Sequence, residues 1–135
     1  MKSLAKIILF GEAERGDYCL PYHCSTLTEL IDLLGQAPPH SHGIHYAVQA
    51  LLYRRELLYF RVQEEGYSYQ DYLRAVKMIA TQSKDWGPFS AVCAPGVAED
   101  FLLRAIDSLC RAHRCLLITN EADLFDYLME WHRQL

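Results

Sequence analysis

Acidic, amide and turn-forming residues stand directly after the apolar runs of this chain, where chemistry could be carried out. They are Gly11, Glu12, Glu14, Glu64, Glu65, Pro95, Gly96, Asn120, Glu121 and Asp123. If the apolar runs are parallel strands, these residues meet at the carboxyl edge of one sheet, where open α/β sheets bind ligands. Carboxylates gathered there could hold Mg²⁺ together with several waters. The alternative is structural, because loop tips and helix N-termini favour acidic residues in any protein.

The predicted metal site consists of four carboxylates, those of Glu12, Asp100, Glu121 and Asp123. The stretch from Asp100 to Asp123, a helix followed by a Thr-bearing strand and two spaced acids, resembles the last third of a PIN-domain nuclease. The resemblance implies a Mg²⁺-dependent hydrolase or nuclease, in which Glu12 takes the place of the acid that follows the first strand.

A second candidate site is a crevice that would bind a small ligand between the first and third apolar runs. Its predicted residues are Gly11, Glu12, Pro95, Gly96 and Asn120. The chain has no G-x-G-x-x-G or Walker A pattern after any run, and the first of these loops is rich in Glu, which would repel a phosphate. The sequence therefore predicts no nucleotide cofactor.

Histidine and cysteine offer weaker candidates. His40, His42 and His45 form an H-x-H-x-x-H pattern that could bind zinc, although polar histidines are also ordinary where a loop enters a helix. Cys93 precedes a predicted helix, where its thiolate could be activated, or it is a small buried residue. The number of cysteines, five, is odd, and the sequence contains no C-x-x-C motif. Both observations favour free thiols in a reducing, cytoplasmic location.

Nine tyrosines suggest a surface that binds another protein, because tyrosine offers contact area and a hydroxyl group. Tyr46 and Tyr53 lie seven residues apart on one predicted helix. If this stripe is exposed, it forms a surface for a partner or for a second copy of the chain. If it is buried, the helix is an ordinary amphipathic element of the core.

Four apolar runs predict strands at 6–10, 57–62, 89–94 and 115–119, and nearly continuous apolar character indicates that both faces are covered. Five helices are predicted between and after them. The first has a stripe of Leu27, Leu30, Ile31 and Leu34 behind a Thr26-x-x-Glu29 capping box. Ser68-x-x-Asp71 and Asn120 are the predicted starts of two others.

This order predicts a single α/β domain over residues 1–135. Its expected architecture is a three-layer α/β/α sandwich with a mainly parallel four-stranded sheet, flavodoxin- or Rossmann-like. By analogy with flavodoxin, the expected strand order is 2-1-3-4, and an extra edge strand within residues 16–24 remains an option. The N-terminal segment is predicted to lead into the first strand rather than to act as a signal peptide, because it has no small-residue cleavage site.

Charge and composition exclude several classes of protein. The 135 residues carry a formal charge of −4 and no Lys/Arg-rich block, so no extended nucleic-acid surface is predicted. No run approaches the ~18 apolar residues of a membrane span. Because no catalytic motif is complete, the expected function is a non-catalytic binding or assembly module, acting through a protein partner or as a homodimer. The Mg²⁺-dependent hydrolase and the small-ligand binder are the alternatives.

Overall fold

The computed structural model describes residues 6–133, which form an α/β fold of five strands and five α-helices. The first five residues, which belong to the predicted N-terminal segment, lie outside the described residues. The strands are β1 (Lys6–Gly11), β2 (Pro21–Cys24), β3 (Leu57–Arg61), β4 (Phe89–Cys93) and β5 (Leu116–Ile118). The helices are α1 (Leu27–Leu34), α2 (Gly43–Leu52), α3 (Tyr69–Gln82), α4 (Asp100–His113) and α5 (Glu121–Arg133).

The strands form one sheet in the order β2-β3-β1-β4-β5. The β1–β3, β1–β4 and β4–β5 pairings are parallel. The predicted order 2-1-3-4 of the four apolar runs is therefore confirmed. The carboxyl ends of β1, β3, β4 and β5 lie at the same edge of the sheet.

The prediction of a four-stranded, mainly parallel sheet is wrong in the number of strands, because a fifth strand is present and makes the otherwise parallel sheet mixed. The extra strand, β2, pairs antiparallel with β3 at the edge, with Tyr22 opposite Tyr59. It falls within the segment where an edge strand was an option. It is short, begins with proline and contains a histidine, as an edge strand with only one neighbour can tolerate. Its pattern is therefore too weak to be identified in advance.

Amphipathic helices cover both faces of the sheet. Side chains along a strand alternate between the two faces, so each face presents apolar residues on which helices can pack. Ile7 and Leu9 pack on one face with residues of α1, α2 and α5. Ile8 and Phe10 pack on the other with residues of α3 and α4. Both faces of β1 are therefore buried, which explains its unbroken apolar sequence. Within the described part of the chain, no helix has the length and apolar character needed to cross a membrane.

Candidate functional site

The carboxyl edge of the sheet is organised around the carboxylate of Glu65, in the loop after β3. Its Oε2 accepts hydrogen bonds from the backbone N–H groups of Glu12 (2.8 Å) and Gly43 (2.9 Å), and its Oε1 accepts one from the backbone of His42 (2.8 Å). Glu65 is only 8% exposed. The negative charge lies at the N-terminus of α2, where the unpaired N–H groups of the first turn and the helix dipole stabilise it.

Glu12 completes this arrangement from the loop after β1. Its Oε2 accepts a hydrogen bond from the backbone N–H of Glu65 at 3.0 Å, so that each glutamate binds the backbone of the other. The hydroxyl of Tyr59 donates to the Glu12 carbonyl at 2.7 Å. Burial, and then the nearby charge of Glu65, raises the pKa of Tyr59, so its hydroxyl keeps the proton that it donates. Together these contacts join the ends of β1 and β3 to the start of α2.

Two pairs of glycines allow the backbone to close over this edge. A Cβ atom at Gly11 would lie 2.6 Å from the Cα of Gly43, so α2 approaches β1 more closely than any side chain would permit. A Cβ atom at Gly66 would lie 2.3 Å from the carbonyl oxygen of Gly96, where the loops after β3 and β4 meet. The glycines at the strand ends therefore serve backbone packing within the chain itself.

The residues predicted to bind a small ligand are placed as follows. Gly11 is buried against Gly43, and Glu12 is bonded to the backbone of Glu65. Pro95 is buried, while Gly96 packs against Gly66. Asn120 caps α5, because its Oδ1 accepts from the backbone of Asp123 at 2.9 Å and its Nδ2 donates to the Asp123 carboxylate at 3.0 Å. Each of these contacts is internal to the chain.

The four carboxylates predicted to bind a metal have separate local partners. Glu12 binds the Glu65 backbone, and Asp100 forms an exposed ion pair with Arg104 at 2.8 Å. Glu121 accepts from the Gln49 amide at 3.2 Å, and Asp123 is held by Asn120. Among residues 6–130, whose side chains the structure describes, no three His, Cys, Asp or Glu side chains form a group that could hold a metal ion. The histidines at positions 40, 42 and 45 are exposed around the start of α2.

Two further candidates from the sequence, Cys93 and Tyr46, are buried. Cys93 is fully buried, and burial raises the pKa of its thiol, which opposes a thiolate nucleophile. Tyr46 is 5% exposed and belongs to the core cluster, against which Tyr53 packs. The stripe on α2 is therefore part of the core, where this helix contacts both α1 and α5. Burial raises the pKa of Tyr46 to about 12.

A groove that the sequence did not predict lies at the opposite end of the sheet from β2, between β5 and α5. It encloses about 430 Å³. Its lining consists of the three strand residues Leu116, Leu117 and Ile118 and four residues of α5, Asp123, Asp126, Tyr127 and Glu130. The groove thus combines an apolar strand with an acidic helix face.

The acidic residues of the groove lie on one face of α5 because of their spacing along the helix. Asp123, Asp126 and Glu130 are related by i, i+3 and i+7, which places them on one face of α5. All three are exposed, whereas the Tyr127 ring beside them is buried and its hydroxyl contacts that of Ser90. The spacing of these acids was visible in the sequence. Its relation to β5 was not, because that depends on how α5 packs back across the sheet.

Comparisons of the chain with protein-family models, with curated proteins and with solved structures find no match.

Proposed function

We propose that this protein is a non-catalytic binding module that holds an extended segment of a partner protein in the groove between β5 and α5. The observation that carries the proposal is the composition of this groove. The edge strand β5 forms its apolar floor, and the acidic residues Asp123, Asp126 and Glu130 of α5 form its rim. Strand addition to an open sheet edge is a recurrent mode of peptide recognition, in which main-chain hydrogen bonds supply affinity and neighbouring pockets supply specificity.

The backbone of β5 supports this role. β5 is the last strand of the sheet, and within the described residues it pairs only with β4. The carbonyl of Ile118 accepts from the backbone of Ala94 at 2.8 Å and therefore points towards β4. Because backbone groups alternate sides along a strand, the N–H and C=O of Leu117 point outward, where a sixth strand would bind them. Leu116, which is 55% exposed, would be covered by the same segment.

The charge of the groove supports a partner segment rich in lysine or arginine. Three carboxylates line it, and none of its lining residues is basic. A second copy of the chain paired edge to edge through β5 would bring two acidic faces together, which is unfavourable when the charges are not neutralised. A homodimer through this edge is therefore the less favoured arrangement, and a positively charged partner is the occupant we propose.

The carboxyl edge of the sheet supports a non-catalytic role. In α/β proteins this edge, and the helix N-terminus beside it, commonly receive anionic ligands. In this chain the Glu65 carboxylate takes the backbone N–H groups of His42 and Gly43. The separate local partners of Glu12, Asp100, Glu121 and Asp123 give no support to the Mg²⁺-dependent hydrolase.

Helices on both faces of the sheet support a flavodoxin-like three-layer fold. Five free cysteines support a reducing, cytoplasmic location.

Fluorescence anisotropy with labelled octapeptides tests the proposal. One peptide alternates lysine with valine, a second alternates glutamate with valine, and a third is the lysine peptide with alternate backbone nitrogens methylated. We expect only the first to bind, because the second has the wrong charge and the third cannot donate the strand hydrogen bonds. Equal binding of the first and third peptides would show simple charge attraction and would refute strand addition.

A matched pair of variants locates the site. The first double variant, Asp126→Lys with Glu130→Lys, reverses the charge of two acidic residues that line the groove. The control, Asp32→Lys with Asp85→Lys, makes the same change in net charge at exposed positions elsewhere. We expect the rim variant to bind the lysine peptide at least about tenfold more weakly, which corresponds to about 1.4 kcal/mol, and the control to bind nearly as the wild type does. An equal loss in both variants would assign the binding to overall charge and overturn the proposed site.

A further inference from the structure

Helix α4 ends in a turn that brings two cysteines together. Arg114 adopts the left-handed conformation, with φ 54° and ψ 47°. The backbone N–H of Cys115 donates to the carbonyl of Cys110 at 3.0 Å, and that of Arg114 donates to Arg111 at 3.3 Å. This pair of bonds defines the Schellman motif, in which the side chains at the first and last positions, here Cys110 and Cys115, characteristically touch.

The two thiols are differently exposed and differently disposed to react. Cys110 is 2% exposed, whereas Cys115 is partly exposed and packs against the core cluster that contains Cys110. Hydrogen bonding between the two thiol groups lowers the pKa of Cys115 and raises that of Cys110. Cys115 is therefore the nucleophile of the pair, because the thiolate is the reactive form.

The other cysteines lack this combination. Cys19, Cys24 and Cys93 are all buried, and burial raises the pKa of each thiol, to about 11 for Cys19 and Cys24. A buried thiol with a raised pKa is a poor nucleophile at neutral pH. The Cys110–Cys115 pair is thus the place in the described chain where a partly exposed thiol has a second thiol within reach.

We propose that Cys110 and Cys115 form a reversible, peroxide-sensitive dithiol site. The Cys115 thiolate attacks one oxygen of hydrogen peroxide; a sulfur–oxygen bond forms, the oxygen–oxygen bond breaks and hydroxide leaves. The Cys110 sulfur then attacks the resulting sulfenic sulfur, forming the disulfide and releasing water that carries the Cys110 proton. The two sulfurs lose two electrons in total, and the peroxide gains them. A dithiol reductant reverses the reaction.

The site can be read directly by mass spectrometry, because trypsin cleaves after Arg111 and Arg114. A disulfide between the two cysteines would link the tryptic peptides 105–111 and 115–133 in a non-reducing digest. After brief treatment of the folded protein with dilute hydrogen peroxide, we expect this linked pair to form at least tenfold faster than any oxidation of Cys93. Dithiothreitol should separate the two peptides.

Two variants assign the roles of the thiols. In Cys110→Ser, the Cys115 sulfenic acid has no resolving thiol, so we expect a dimedone adduct on Cys115. In Cys115→Ser, we expect Cys110 to remain alkylatable after peroxide treatment. Circular dichroism checks that each variant is folded. The digest of the wild-type protein tests the proposal even if a variant does not fold. A linked pair that forms no faster in the folded protein than in urea, or oxidation that begins at another cysteine, would overturn the proposal.

Discussion

At the scale of the residue, the most informative side chain is that of Glu65. A buried carboxylate is costly unless its oxygens are satisfied, and here three backbone N–H groups satisfy them. Its type and its position after β3 made it one of several acids expected at the sheet edge. Its role as a brace between β1 and α2 could not be predicted, because the partners are backbone groups 53 and 22 residues away.

We predict that Glu65→Gln lowers the free energy of unfolding by about 1–3 kcal/mol, since it removes a charged acceptor and directs an amide N–H at backbone donors. The matched control is Glu64→Gln, at the exposed neighbouring position, where we expect a change within about 0.5 kcal/mol. Urea unfolding followed by circular dichroism measures both. Equal stability of the two variants would mean that the Glu65 contacts contribute little.

At the scale of the element, local sequence patterns succeeded where the contacts are local. The predicted capping box of α1 is confirmed, with the Thr26 hydroxyl accepting from the backbone of Glu29 at 3.1 Å and the Glu29 carboxylate accepting from that of Thr26 at 3.1 Å. The Asn120 cap of α5 is also confirmed. Ser68 is the N-cap residue of α3, so the predicted start of this helix is confirmed. The predicted cap hydrogen bonds do not form, because the Ser68 hydroxyl binds Glu64 and the Asp71 carboxylate accepts from the backbone of Gln63.

The apolar stripe of α1 was predicted too broadly. Leu30 and Leu34 are buried, but Leu27 and Ile31 are exposed. The helix lies near the edge of the sheet, against the four-residue strand β2, so only part of its apolar surface finds a partner. Helical periodicity identifies the side of a helix that turns inward, whereas the width of the buried strip depends on how much sheet lies beneath it.

The capping box gives a pH-dependent prediction. Backbone hydrogen bonding from Ser25 lowers the pKa of Glu29, so this residue stabilises the fold above its ordinary pKa near 4.5 and loses that effect as the pH falls through its lowered pKa. We expect Glu29→Gln to unfold at a lower urea concentration than the wild type at pH 7, and the two midpoints to converge as the pH falls below the lowered pKa of Glu29. A difference that persists unchanged at pH 3 would assign the effect to packing.

At the scale of the whole molecule, the distribution of charge matters more than its total. The net charge of −4 belongs to a chain whose acids fall into groups with different partners. Some brace backbone, as Glu12 and Glu65 do, and others form exposed pairs within a helix, as Asp107 and Arg111 do at 2.9 Å. The acids of the β5–α5 groove line a concave surface, which makes them available to a basic ligand.

This distribution predicts the response to metals. A ligand that binds only the folded state raises the melting temperature by mass action. Because the four carboxylates of the predicted metal site have separate partners, we expect Mg²⁺ and Mn²⁺ at millimolar concentration to leave the melting temperature within about 1 °C of the value in EDTA. A clear rise that is abolished by Glu12→Gln would instead favour the hydrolase.

The sequence by itself determined the features that depend on neighbours along the chain. Unbroken apolar runs predicted β1, β3, β4 and β5, helical periodicity predicted the five helices, and short-range polar pairs predicted two of the caps. The order of the four runs in the sheet was predicted by analogy with flavodoxin and is confirmed.

Tertiary structure alone decided the features that join distant segments. These are the pairing of β2, the Glu65 brace, the burial of Tyr46 and the meeting of α5 with β5. The physical reason is that the sequence does not show which distant group a backbone N–H or an apolar surface will contact. Such contacts are selected only when the folded sheet brings the segments within a few ångströms of each other.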